Sequence, residues 1–177
     1  MGCRVVEDVL PADILAKHPP ELPDMGVGEY LRHIQYEDAF FEGIKHANLS
    51  ELWDVMIGCQ FNMSDAGVQQ LKAIADHANC DFGLAIEVML YADPAWFSRR
   101  TPTELDTSYE LPAFELVRGI AARLNSGAYN ISPDDTRTIL RRLEHFQSIL
   151  PETGNWRLAP AIYESAKTHA TRLDAAR

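Results

Sequence analysis

Glu87 is the side chain with the strongest chemical motive in this 177-residue chain, because it interrupts an otherwise apolar run over residues 82–92. An ionised carboxylate in such a run either pairs with an arginine or tyrosine or points into a groove, since burying an unpaired charge is costly. In the structural alternative it pairs with an arginine of the second half. In the functional one, burial raises its pKa and equips it for acid/base or binding work. His77, Cys80 and Asp81 crowd a polar hinge just ahead, at residues 77–81, and invite a metal or nucleophile reading. However, Cys80 and Asp81 are consecutive and no other ligand-rich cluster completes a tetrahedral set, while Asp81 as a helix cap accounts for its own identity. Glu42 and His46 lie four apart, with Glu37 before them. A carboxylate-bridged bundle site needs a Glu with a His three residues later, repeated on a second helix, so an exposed i, i+4 pair is the better account. Arg141 and Arg142, a turn after Arg137, could grip a phosphate or carboxylate. Asp134, Asp135 and Glu144 nearby favour a solvated face laced with ion pairs. Phosphate-cradling glycine loops, GxSxG elbows and HExxH helices do not occur in the sequence.

Cys3, Cys59 and Cys80 are odd in number, widely spaced and without a CxxC pair. They indicate neither a disulfide framework nor a zinc site, and free cysteine among apolar neighbours behaves as a small hydrophobe. No metal and no cofactor is expected.

Charge is distributed unevenly. Residues 1–98 hold 16 acidic side chains against 5 basic ones, a balance of −11, and residues 99–177 hold 10 against 11, a balance of +1; the formal net charge is −10. Such a chain is repelled by nucleic acid and by anionic lipid, and suits a cationic protein partner whose encounter it accelerates. The bland alternative is that the charge only maintains solubility. Hydrophobic content of 46% with 24% charged residues is ordinary for a folded domain. No apolar run is long enough to span a bilayer. Glu7 and Asp8 break any secretory signal, and Val6 stands where a myristoylation signal wants Ser or Thr, so a cytoplasmic location is expected.

These side chains must be positioned by helices. Residues 1–28 read as an N-terminal extension of short helical fragments closed by Pro19-Pro20 and a turn-rich stretch, and residues 29–177 as the helical domain. Apolar spacing over 29–46 suggests a helix broken near 35–37. Asn48 or Ser50 can cap a helix at 51–58 carrying Leu52, Trp53, Val55, Met56 and Ile57. Ser64 caps 65–78, where Val68, Leu71 and Ile74 recur. Residues 82–92 form a helix apolar on nearly every side, which must be the central element. Asp93-Pro94 ends it. The polar stretch 98–111 is the longest expected loop. Pro112 opens a further helix that Gly127 stops, Ser132-Pro133-Asp134-Asp135 starts another that Pro151 and Gly154 end, and a last one runs over 160–173. Neither alternating strand patterns nor hairpin turns occur. About seven helices with short connections predict an all-α, single-domain, multi-helix orthogonal bundle, with a short α-solenoid-like stack as the alternative.

The segment 53–94 resembles an uncharacterised bacterial family. Its members pair an Asn-x-x-Asp-x-Gly turn with a downstream Cys-Asp that opens an alanine-containing apolar helix. The matching positions are Asn62, Asp65, Gly67, Cys80, Asp81, Gly83 and Ala85, with Met63 where members carry an aromatic residue. The resemblance carries no catalytic residues. It implies a genomic setting among polymorphic toxins, where small acidic proteins serve as cognate immunity factors. Without the family, the same residues serve architecture: Asp65 favours the helix dipole, Gly67 permits close packing of two helices, and Asp81 restarts the chain.

Two functions follow as expectations. The first is an immunity-type inhibitor, not an enzyme, that neutralises a basic cognate toxin through Glu37, Asp38, Glu42, Glu51 and Asp54. The second is a small-ligand-binding protein or enzyme using Glu87 and the His77 hinge, which requires an unpaired Glu87 carboxylate beside a cavity.

Overall fold

The computed structural model describes residues 4–22, 24–62, 64–106, 108–131, 136–150 and 156–175, with side chains described at all of these except 136–140 and 169–175. The expected start signal at Ser132–Asp135, the stops at Pro151 and Gly154, Cys3 and Met63 lie outside the described residues, as do the side chains of Arg137, Ala170 and Leu173.

Among the described residues the chain forms an all-α multi-helix bundle of ten α-helices with no strand. They are α1 (Ala12–Lys17), α2 (Val27–His33), α3 (Ala39–Gly43), α4 (Leu49–Gly58), α5 (Asp65–Ala75), α6 (Phe82–Tyr91), α7 (Pro94–Phe97), α8 (Glu110–Asn125), α9 (Thr136–Ile149) and α10 (Pro160–Ala175). The expected number is exceeded by short elements, α1, α3 and α7, whose few residues carry too little periodicity to be read.

Side chains at the helix starts do what their types suggest. Asn48 accepts from Glu51 N–H while the Glu51 carboxylate accepts from Asn48 N–H, a reciprocal capping box for α4. Ser64 caps α5 and Asp81 caps α6, the latter through Leu84 N–H at 2.8 Å. The stretch 29–46 does break in its middle, into α2 and α3 with a 3-10 turn, Ile44–His46, after it. Gly127, at φ 71°, supplies the stop beyond α8. Two expectations shift. Pro112 stands two residues into α8 rather than opening it, a first-turn position where its missing N–H costs nothing. Asp93-Pro94 does end α6, yet the chain turns at once into α7, because Asp93 adopts φ 52° and its carboxylate accepts from Trp96 N–H at 3.1 Å.

The core is organised around α6. Phe82, Gly83, Leu84, Ala85, Ile86, Val88 and Met89 are all buried, and α4, α5, α8 and α9 pack against this helix. Its position as the central element follows from having no polar face to offer water. The N-terminal segment belongs to the same core. Val6, Leu10, Ile14, Met25 and Val27 are buried within it, an isolated bridge joins Val5 to Gly26, and the boundary expected after residue 28 falls inside α2.

The packing of α2 against α4 positions the candidate surface. A Cβ built on Gly28 would lie 2.8 Å from Asp54 Cβ, Arg32 lies over Gly58, and the Gln35 side-chain amide donates to Gln60 C=O at 2.9 Å. The contacts therefore step along both helices in the same direction, so α2 and α4 run parallel and end together.

Candidate partner-binding surface

The five carboxylates expected to meet a partner are not equivalent. Glu37, Asp38 and Asp54 are exposed, and among the described residues no cation lies within ion-pair distance of any of them. Glu42 is exposed but held by Lys45, whose Nζ donates to both carboxylate oxygens at 2.7 Å. That partner replaces the expected Glu42–His46 pair.

Glu51 is a correction. It is only 5% exposed and is bonded by Arg4, whose Nε donates to Oε1 at 2.9 Å. Together with its cap to Asn48, this places Glu51 inside the fold and removes it from any contact surface. A capping glutamate at N3 looks the same in sequence whether its far side meets water or an arginine 47 residues away.

Two residues without a functional motive in the sequence join the surviving carboxylates. Tyr36 is 75% exposed and Ile57 is 74% exposed. Both stand near the common end of α2 and α4, next to the Gln35–Gln60 and Arg32–Gly58 contacts. Ile57 was expected within the apolar set of α4. At about 100° per residue, however, Leu52, Val55 and Met56 share one arc while Trp53 and Ile57 lie on another. The helical wheel is thus a signal that could have found Ile57. Tyr36 follows the break of the helix, where periodicity carries no information.

The turn bearing Tyr36 is fixed from below. Gln35 uses its side chain on Gln60 C=O, and Gln70 donates its amide to the Gln35 carbonyl; both glutamines are 5% exposed. A buried, satisfied amide relay holds the backbone, so an aromatic side chain placed on it starts from a preorganised position. The shared helix ends add to the negative field, because the C-terminal ends of both dipoles lie there, with Arg32 over Gly58 offsetting part of it.

The second expected site separates into two places. The His77 hinge is structural: Asn79 N–H donates to His77 Nδ1 at 3.0 Å, His77 Nε2 sits 3.2 Å from Lys45 C=O, and Asn79 donates its amide to Ala47 C=O at 2.9 Å. These bonds staple the hinge to the end of the α3 region. Cys80 and Cys59 are buried, and burial pushes their thiols up to about 12 and about 11 respectively. Among the described residues no cluster of three potential ligands could hold a metal.

Glu87 is paired with an arginine of the second half, as the structural alternative expects, and is not the unpaired carboxylate that the second function requires. Arg142 Nε lies 2.8 Å from its Oε2, and the same guanidinium stacks on Trp53 at 4.4 Å from the ring centroid. A groove of about 430 Å³ does adjoin it, walled by Glu87, Leu90, Tyr91, Arg141, Arg142 and His145. His77 is not among those walls.

The buried thiols make a direct prediction. In a Cys3→Ser background, an alkylating reagent at pH 8 should modify neither Cys59 nor Cys80 until the chain is unfolded, because the thiolate is the reactive form. Mass spectrometry of native and urea-treated protein reads the outcome; rapid native labelling would contradict the burial. The linked sign is fixed too: both folded thiol pKa values lie above the ordinary 9.0, so their contribution to stability is full below pH 9 and is lost as pH rises through 11 to 12.

Comparison of the chain with protein-family models, with curated proteins and with solved structures finds no match.

Proposed function

We propose that this chain is an inhibitor-type binding protein that docks a cationic protein partner at the common end of α2 and α4. Tyr36 and Ile57 act as apolar anchors, and Glu37, Asp38 and Asp54 act as steering carboxylates with Glu42 at the rim. The observation that carries this reading is the exposure of Tyr36 at 75% and Ile57 at 74% beside three carboxylates that no described cation neutralises. Tyrosine is enriched among residues that dominate binding energy, because a large rigid ring loses little entropy when it is immobilised. Complementary charge raises the encounter rate and rejects acidic competitors, as a chain of net charge −10 should. The resemblance of residues 53–94 supplies the partner class: a basic toxin, for which this chain would be the immunity factor.

The reading is tested on the basic product of a neighbouring gene by stopped-flow or surface plasmon resonance. Raising NaCl from about 50 to about 500 mM should slow association markedly while leaving dissociation nearly unchanged. Tyr36→Ala should speed dissociation by about tenfold or more, and Glu37→Lys with Asp38→Lys should slow association. None of these variants should shift the melting temperature, since all three side chains are exposed. A salt-independent association rate, or binding untouched by Tyr36→Ala and Ile57→Ala together, would sink the proposal.

A further inference from the structure

The groove between α6 and α9 gathers basic groups around a concavity of this acidic molecule. Among the described residues that line it, Arg141, Arg142 and His145 can carry positive charge, against the one carboxylate of Glu87. The two arginines have different states. Arg142 is held in place, stacked on Trp53 and ion-paired through Nε with Glu87. An arginine held at Nε keeps donors on its two terminal nitrogens, arranged as a planar fork that matches a carboxylate or phosphate. Arg141 is exposed, one residue away on α9. Leu90 and the ring of Tyr91 form the rest of the wall, and Tyr91 is itself fixed by donating its hydroxyl to Phe61 C=O at 2.8 Å and by an edge-to-face contact with the Phe61 ring. The volume, about 430 Å³, lies in the range of small-molecule sites.

We infer that this groove binds a small organic anion, a carboxylate or phosphate on a compact apolar body. The anionic head meets Arg141 and the fork of Arg142, and the body lies against Leu90 and Tyr91. Glu87 both positions Arg142 and opposes the ligand's charge, so it sets the affinity from the unfavourable side. This site stands apart from the argument for the protein partner, since it uses α6 and α9 and none of the carboxylates at the end of α2 and α4.

The test is an ¹⁵N–¹H NMR titration that follows the three tryptophan indole signals, with Trp53 assigned by Trp53→Phe. The probes are benzoate and phenyl phosphate, with inorganic phosphate and neutral benzyl alcohol as comparisons. The expected result is a saturable movement of the Trp53 signal with benzoate or phenyl phosphate at about millimolar affinity, given so few ligand atoms. Preference between the two distinguishes a carboxylate from a phosphate head. Benzyl alcohol should bind at least fivefold more weakly. Arg141→Ala should weaken the preferred anion about fivefold or more. Glu87→Gln should tighten it, which a residue with a merely structural role would not do. No saturable shift with either anion, equal binding of benzyl alcohol, or an Arg141→Ala variant that binds as the parent does would overturn the inference. Arg141 is exposed, so its variant remains informative even where Glu87→Gln disturbs the fold.

Discussion

Gly67→Ala should lower the unfolding free energy by about 3 kcal/mol, the upper range for forcing an extra methyl into a filled site. A Cβ at this position falls onto the Asn62 carbonyl oxygen and comes within 2.9 Å of Asn62 Oδ1 and 3.0 Å of its carbonyl carbon. Backbone cannot step aside as a flexible side chain can. The Asn-x-x-Asp-x-Gly turn is therefore built on a close approach between the first turn of α5 and the chain entering it. This corrects the expectation that Gly67 serves the packing of two helices. Gly119, on the exposed side of α8, is the control: nothing lies within 4 Å of an added Cβ there. Gly119→Ala should stabilise the protein by about 0.5–1 kcal/mol through helix propensity and a less entropic unfolded chain. Urea unfolding measures both, and a constant m-value confirms that the change lies in stability. A Gly67→Ala protein as stable as its parent would show that the turn is not built as described.

Glu51→Ala should cost about 2–3 kcal/mol through two losses. The reciprocal cap with Asn48 disappears, leaving Asn48 N–H unpaired at the start of α4, and Arg4 loses the carboxylate it bonds. The ion-pair share is discounted because the Arg4 side chain is 39% exposed, although that of Glu51 is only 7% exposed. Glu51→Gln separates the two losses. Its side-chain oxygen can still accept from Asn48 N–H, so it should recover about half of the deficit, the remainder measuring the charge on Arg4. Thermal and urea unfolding of the pair of variants reads this directly. Folded Glu51→Gln should keep the partner association rate of the parent, because this carboxylate does not reach the docking surface. A large fall in that rate, with stability unchanged, would instead return Glu51 to the interface.

Much of the candidate surface is hidden from the sequence for the same reason that the inward turn of Glu51 is. The periodic pattern of a helix states which residues face inward, but not which distant side chain comes to meet them. Arg4 and Glu51 are far apart in the chain, and no local rule pairs them. Glu87 shows the reverse case: its need for an arginine was legible from its apolar neighbours, while the identity of that arginine as Arg142, and its stacking on Trp53, required α4, α6 and α9 to be assembled. Tyr36 lies where the helix breaks, so neither period nor cap announces it. The His77 hinge carries reactive residue types, yet its bonds to the backbone of Lys45 and Ala47 give it an architectural task.

The sequence by itself determined the helices, several of their caps, the all-α class and the central place of α6, because these depend on contacts within a few residues and on a hydrophobic pattern that permits only one solution. Tertiary structure alone decided that α2 and α4 run side by side in the same direction, that Glu51 turns inward to Arg4 while Glu37, Asp38 and Asp54 stay in water, and that Tyr36 and Ile57 stand beside them. Those outcomes depend on how remote segments meet, and the energy of such a meeting is shared between both partners rather than written in either one.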